Sequence, residues 1–136
     1  MIPMGRRQQK GKRAMGFVEL GVRVANPEDR RRTVEIRMLV DSGALYSVAP
    51  ATVLTKLGIR PDRIETFTLA DGTAVKRQVG GALFAVADRR ALSTVIFGRR
   101  GDSTLLGVVT LEELGLMLDP LRRRLKPLRM RLGAVA

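Results

Sequence analysis

Hydrophobic residues along this chain recur mostly at every second position, in short runs broken by Gly, Pro, Asn and Asp. That spacing marks half-buried β-strands rather than long amphipathic helices. Residues 15–24, MGFVELGVRV, partly alternate and predict a first strand. Asn26-Pro27-Glu28-Asp29 is a turn signal. Over 33–40, Val34, Ile36, Met38 and Val40 share one face, so a second strand returns and runs straight into Asp41. A short strand is expected over 44–48. Pro50 suits the first turn of a helix over 50–57, which Gly58 ends. A strand over 63–70 leads to Asp71-Gly72, the strongest two-residue hairpin signal in the chain. The return strand, 73–79, continues past Gly80-Gly81 into 82–87, and residues 88–90 turn it into a strand over 91–97. After the loop 98–103 come Leu105-Leu106-Gly107, a helix over 108–115, a strand over 116–119, a turn at Pro120 and a last strand near 124–130.

One unit occurs twice in this pattern. Residues 54–59 read Leu-Thr-Lys-Leu-Gly-Ile and residues 111–116 read Leu-Glu-Glu-Leu-Gly-Leu. Each follows an apolar strand that ends in a glycine turn, Leu39-Val40-Asp41-Ser42-Gly43 in the first copy and Leu105-Leu106-Gly107 in the second. The repetition predicts approximate internal two-fold symmetry. Only the first copy carries an acid.

Composition narrows the chemistry. The 136 residues suit one domain. We expect a basic flexible tail over 1–14, the domain over 15–130 and a C-terminal tail over 131–136. With 45% hydrophobic residues a core can form, but with no Trp, one Tyr and four Phe it must be largely aliphatic. Cys and His are both absent, which excludes disulfides, thiolate or imidazole metal sites, and Ser–His–Asp or Cys–His catalysis. Hydrolytic chemistry would have to run on carboxylates, Lys, Ser/Thr or an oxygen-bound metal, and no carboxylate cluster has a metal-like spacing. No cofactor is expected. No apolar stretch reaches the length of a signal peptide or membrane span, and the lack of Cys fits the cytoplasm, so a cytoplasmic protein without membrane partners is expected.

Residues 39–44, Leu-Val-Asp-Ser-Gly-Ala, and 105–108, Leu-Leu-Gly-Val, with a hairpin signal between them, resemble the retropepsin-like, retroviral-type aspartic proteases. Small bacterial members are the most similar, through 114-LGLMLDP-120, and the resemblance spans roughly 15–130. It implies a mostly β acid-protease fold, a closed barrel-like lobe with a flap hairpin and one or two short helices. It implies a catalytic role for Asp41, an active-site loop of Ser42, Gly43 and Ala44, and a flap of Leu69, Ala70, Asp71, Gly72 and Thr73. Leu106 and Gly107 would form a second-turn wall for substrate, and 124–130 an interface strand. Retroviral members often carry an acid four residues after the catalytic Asp and an Arg after the second Gly; here Leu45 and Val108 replace both.

Aspartic proteolysis needs two carboxylates that share a proton and hold one water. One chain supplies a single Asp-Ser-Gly. The resemblance therefore implies a symmetric homodimer with Asp41 contributed by each chain, cleaving a peptide or protein substrate, with apolar flanking residues expected. The alternative is a catalytically silent dimer of the same fold that binds peptides or nucleic acid. The net charge of +12 would attract nucleic acid, but the clusters at Arg6-Arg7, Arg30-Arg31-Arg32, Arg99-Arg100 and Arg122-Arg123-Arg124 are scattered and lack an aromatic platform, so a solvated surface is expected. Arg100-Gly101-Asp102-Ser103 reads as a loop.

Overall fold

The computed structural model describes residues 18–133. The tail expected over 1–14, the start of the first strand at 15–17 and the end of the C-terminal tail at 134–136 lie outside the described residues. Strands β1 (Val18–Asn26) and β2 (Asp29–Val40) form an antiparallel hairpin around Pro27-Glu28. Asn26 fixes this corner, for its Oδ1 accepts from Glu28 N at 2.8 Å and its Nδ2 donates to Leu57 O at 2.9 Å. Strand β2 begins at Asp29, not at 33, because exposed Arg30–Arg32 occupy a ladder irregularity between the Asn26–Asp29 and Ala25–Thr33 pairs. A bulged, all-charged segment has no alternation to reveal it.

The remaining elements are β3 (Ser47–Pro50), α1 (Ala51–Lys56), β4 (Arg63–Thr68), β5 (Ala74–Val86), β6 (Arg89–Gly98), β7 (Leu105–Leu106), α2 (Val108–Glu113), β8 (Leu116–Asp119) and β9 (Arg124–Pro127). Seven strands form one sheet in the order β1-β2-β7-β3-β6-β5-β4. Pairing of Arg23–Ala25 with Leu83–Ala85 joins β1 to β5 and closes six of them into a barrel. Closure removes the open edges a flat sheet would expose. Strand β5 serves two structures: residues 79–86 pair with β6 in the barrel, and residues 74–79 pair with β4 in a hairpin that leaves it.

The core is aliphatic, as composition required, with Val22, Val24, Met38, Val40, Val95 and Leu106 packed around Phe84. Leu54 of α1 and Leu111 of α2 join the same cluster and anchor both helices to the barrel. Complete burial of a Val, Leu or Phe side chain contributes about 1.5–3 kcal/mol.

Three expectations are corrected. The strand expected over 44–48 starts only at Ser47, because residues 41–46 form the loop that carries Asp41. Pro50 ends β3 at φ −58°, ψ 134° and caps α1 from outside, since its extended ψ matches the strand rather than the first helical turn. Strand β9 stops at Pro127, opposite Leu116 where β8 begins; Pro127 has no N–H to extend the ladder, and Leu128 N donates instead to Gly115 O at 2.8 Å. The segment expected as an interface strand over 124–130 is therefore a strand only as far as Pro127.

The repeated unit is visible in three dimensions. Both helices have six residues and close on a leucine in αR, Leu57 and Leu114, followed by a glycine in the left-handed region, Gly58 at φ +80° and Gly115 at φ +75°. Only there does a residue without Cβ end the helix at no steric cost. Besides the acid, the copies differ in layout: a loop and β3 separate the Asp41 turn from α1, whereas α2 follows Gly107 directly.

Candidate active site

Two short parallel pairs, Leu39 with Leu105 and Val40 with Leu106, place the ends of β2 and β7 in register. The next residue on each strand is Asp41 and Gly107, so the two glycine turns of the repeat lie side by side. Backbone hydrogen bonds join them: Asp41 N donates to Leu106 O at 3.0 Å, Val108 N to Ala44 O at 2.8 Å and Val109 N to Leu45 O at 3.0 Å. The last two cross-links run through Val108 and the Ala44-Leu45 segment, where retroviral relatives place a charged pair. Main-chain bonds thus connect the loops without a charge to desolvate.

Gly107 is needed for contact, not for conformation. Its φ of −87° suits any residue, but a Cβ there would sit 2.6 Å from Tyr46 C and 2.8 Å from Leu45 O. Only a bare backbone lets the Asp41 loop pass this close. Leu106 and Gly107, expected as a wall for substrate, are both buried, and the half-buried Leu105 and Val108 flank them.

The half-buried Asp41 carboxylate takes one hydrogen bond, from Gly43 N to Oδ1 at 2.9 Å, and forms no ion pair among the described residues. Ala44 N donates to Asp41 O at 3.1 Å and tightens the turn. The exposed Ser42 hydroxyl makes no hydrogen bond among the described residues. One carboxylate oxygen is thereby oriented by backbone, while the other accepts no hydrogen bond among the described residues. Among the described residues no group of three or more acids could hold a metal ion.

Beneath the paired turns lies a feature that motif reading missed. Gly107 N donates to Ser47 Oγ at 2.9 Å, Ser47 Oγ lies 2.6 Å from Thr110 Oγ1, and Ser93 Oγ lies 3.0 Å from Thr110 Oγ1. All three side chains are buried, and together they tie β3, β6 and α2 to the Gly107 turn. Their signal was faint: single hydroxyl residues at positions whose neighbours at strand or helix spacing are apolar.

The β4–β5 hairpin carries the residues expected as a flap. Gly72 N donates to Leu69 O at 2.9 Å, Leu69 N donates to Thr73 O at 2.7 Å, and Gly72 has φ +88°. The tip is therefore a three-residue loop, Ala70-Asp71-Gly72, with glycine at its left-handed position, rather than the two-residue turn expected from Asp71-Gly72 alone. Asp71 Oδ1 accepts from Thr73 N at 2.9 Å, and the bonds from the Thr73 backbone and hydroxyl hold this carboxyl below its usual range. No hydrogen bond joins Leu69–Thr73 to the Asp41 and Gly107 turns among the described residues. Farther down the hairpin, Arg77 meets Asp102 through Nε to Oδ2 at 2.7 Å and Nη2 to Oδ1 at 3.0 Å. Asp102 Oδ2 also accepts from Arg99 N at 2.8 Å, so the Arg100-Gly101-Asp102-Ser103 stretch is a closed loop whose carboxylate is already engaged.

No helix of the described residues is long and apolar enough to cross a membrane. Among curated proteins none matches the chain. A family model described as aspartyl protease matches residues 22–110, a span that runs from β1 into α2 and contains both glycine turns and the hairpin between them. The mostly β closed lobe, the in-register turns and this match agree, and the chain belongs to the aspartyl protease family within the retropepsin-like clan.

Proposed function

We propose that the protein is an aspartic endopeptidase active as a symmetric homodimer, with one Asp41 from each chain at the two-fold axis. The observation that carries this reading is the register of β2 with β7, which sets the acid-bearing turn beside a sister turn that ends in Gly107 and brings no acid. A single chain then holds half of the required pair, and a second copy is the simplest source of the other half. The exposed Ser42 hydroxyl, without a hydrogen bond among the described residues, supports this, because the resemblance assigns that hydroxyl to contacts between the catalytic loops of the two subunits.

In the dimer the two carboxylates share one proton, since like charges so close cannot both ionise. The ionised Asp41 takes a proton from the bound water as its oxygen attacks the scissile carbonyl carbon. The protonated Asp41 donates to the carbonyl oxygen, giving a neutral tetrahedral diol. The Asp41 that took the water's proton passes it to the amide nitrogen while the other Asp41 takes a proton from a diol hydroxyl; the C–N bond breaks, the carboxylic acid and the amine leave, and the pair again shares one proton. Gly43 N–H fixes Oδ1 of each carboxylate throughout. The β4–β5 hairpin covers the bound peptide.

The test is the mass of the purified protein in solution together with cleavage of a mixed peptide library between about pH 4 and pH 7, the range over which a carboxylate pair divides into acid and base. A dimer that cleaves, and an Asp41→Asn variant that remains dimeric but loses at least about 100-fold in rate, is the expected result. A strict monomer, or cleavage unchanged in Asp41→Asn, contradicts the proposal. A dimer that cleaves no peptide points instead to a binding module on this fold.

A further inference from the structure

The β4–β5 hairpin leaves the barrel at Val79 and has little to hold it in place. Its outer face, with Ile64, Thr66, Lys76 and Gln78, is exposed. Its inner face carries Phe67 and Val75, a half-buried cross-strand pair, and Arg77, followed at the same spacing by the buried Val79. Among the described residues, the only side-chain hydrogen bonds from the hairpin, 63–78, to the rest of the molecule are the two that Arg77 gives Asp102. They are parallel, charge-assisted and partly shielded, with side chains 19% and 28% exposed. Planar two-point pairing of this kind fixes orientation as well as distance.

The loop that receives Arg77 is closed by its own hydrogen bonds. Asp102 N donates to Arg99 O at 2.9 Å and Asp102 Oδ2 accepts from Arg99 N, which closes the turn from both sides. Two residues later Thr104 O accepts from Leu39 N at 3.0 Å, and the chain enters β7 and the Gly107 turn. A short covalent and hydrogen-bonded path therefore leads from the hairpin to the strand end that carries Asp41.

We propose that Arg77 and Asp102 are positioning residues, a latch that sets how far the β4–β5 hairpin stands from the Asp41 turn and so governs capture of substrate rather than bond cleavage. The assignment rests on the reading of the hairpin as a cover for the cleft. With the latch made, the inner-face pair Phe67 and Val75 is held at one height above the cleft, ready to contact an extended peptide. Without it, only the β-ladder of the hairpin opposes outward swing, and each binding event must first order the hairpin.

Amide hydrogen exchange on the full chain, compared between wild type and the variants Arg77→Met and Arg77→Gln, tests this. Residues 64–78 should exchange at least about ten-fold faster in both variants while residues 89–98 of β6 keep their protection, as expected for local opening of one weakly held unit. With a cleaved peptide, KM should rise about ten-fold and kcat should stay within about three-fold, the pattern of lost binding rather than lost chemistry. Unchanged exchange over 64–78, acceleration that spreads to β6, or a fall in kcat at constant KM would each overturn the latch. The exchange measurement needs no activity, so a latch that fails and a protease that fails give different results.

Discussion

A carboxylate that accepts a hydrogen bond from the backbone two residues on, and has no cation beside it, is held in direction but left with one free oxygen. Among the described residues Asp41 is in that state. The residues that keep it there act from behind. Gly107 admits the Asp41 loop at a distance no side chain permits, so Gly107→Ala would push the added Cβ into Tyr46 and Leu45 backbone. We expect a loss of about 1–3 kcal/mol in a denaturant melt, the usual cost of forcing an extra methyl into packed structure. Thr110 acts at one remove. Thr110→Val keeps the shape but takes Thr110 Oγ1 from the buried Ser93 hydroxyl and leaves Ser47 Oγ with the bond from Gly107 N, at a cost of about 1–3 kcal/mol in the same melt. A stability equal to wild type would show that these hydroxyls find other partners.

At the scale of elements, the β4–β5 hairpin lies outside the closed barrel and the Arg77–Asp102 pair is its tether. The Arg77 guanidinium bound to Asp102 holds that carboxyl below its ordinary value of 3.8, and the Arg99 N–H adds to the effect. A depressed carboxyl contributes stability above its unfolded pKa and loses it as pH falls through the folded one. The tether should therefore persist over the whole range in which a carboxylate pair works. The difference in melting temperature between wild type and Arg77→Met should be constant from about pH 5 to pH 7 and shrink only below 3.8. A difference that declines between pH 7 and pH 5 would mean that another group controls it. Nothing in the sequence announces this pair, since Arg77 and Asp102 lie 25 positions apart and neither belongs to a periodic pattern. Alternation did reveal β1, β5 and β6 and the apolar face of β2. It failed where spacing carries no signal: the bulge at Arg30–Arg32, and residues 44–48, where Leu45 and Tyr46 look like strand but belong to the loop that carries Asp41.

For the whole molecule, the repeated unit links sequence to assembly. Strand, glycine turn and helix occur twice, and the fold lays the two turns side by side in one lobe. Motif comparison made Asp41 and the missing second acid legible, because both depend on residue identity within a few positions. The closing of the barrel by Arg23–Ala25 against Leu83–Ala85 was not legible, since pairing across so many residues depends on the tertiary fold rather than on local pattern. The account's central claim is that each active site takes one Asp41 from each of two chains. Wild-type and Asp41→Asn chains, mixed in equal amounts, unfolded and refolded together, test it directly. If a site needs both carboxylates, only wild-type pairs cleave and activity per wild-type chain falls to about one half, about one quarter of an all-wild-type sample of the same total concentration. Retention of about one half of that total would mean that each chain works alone, and would contradict the shared site.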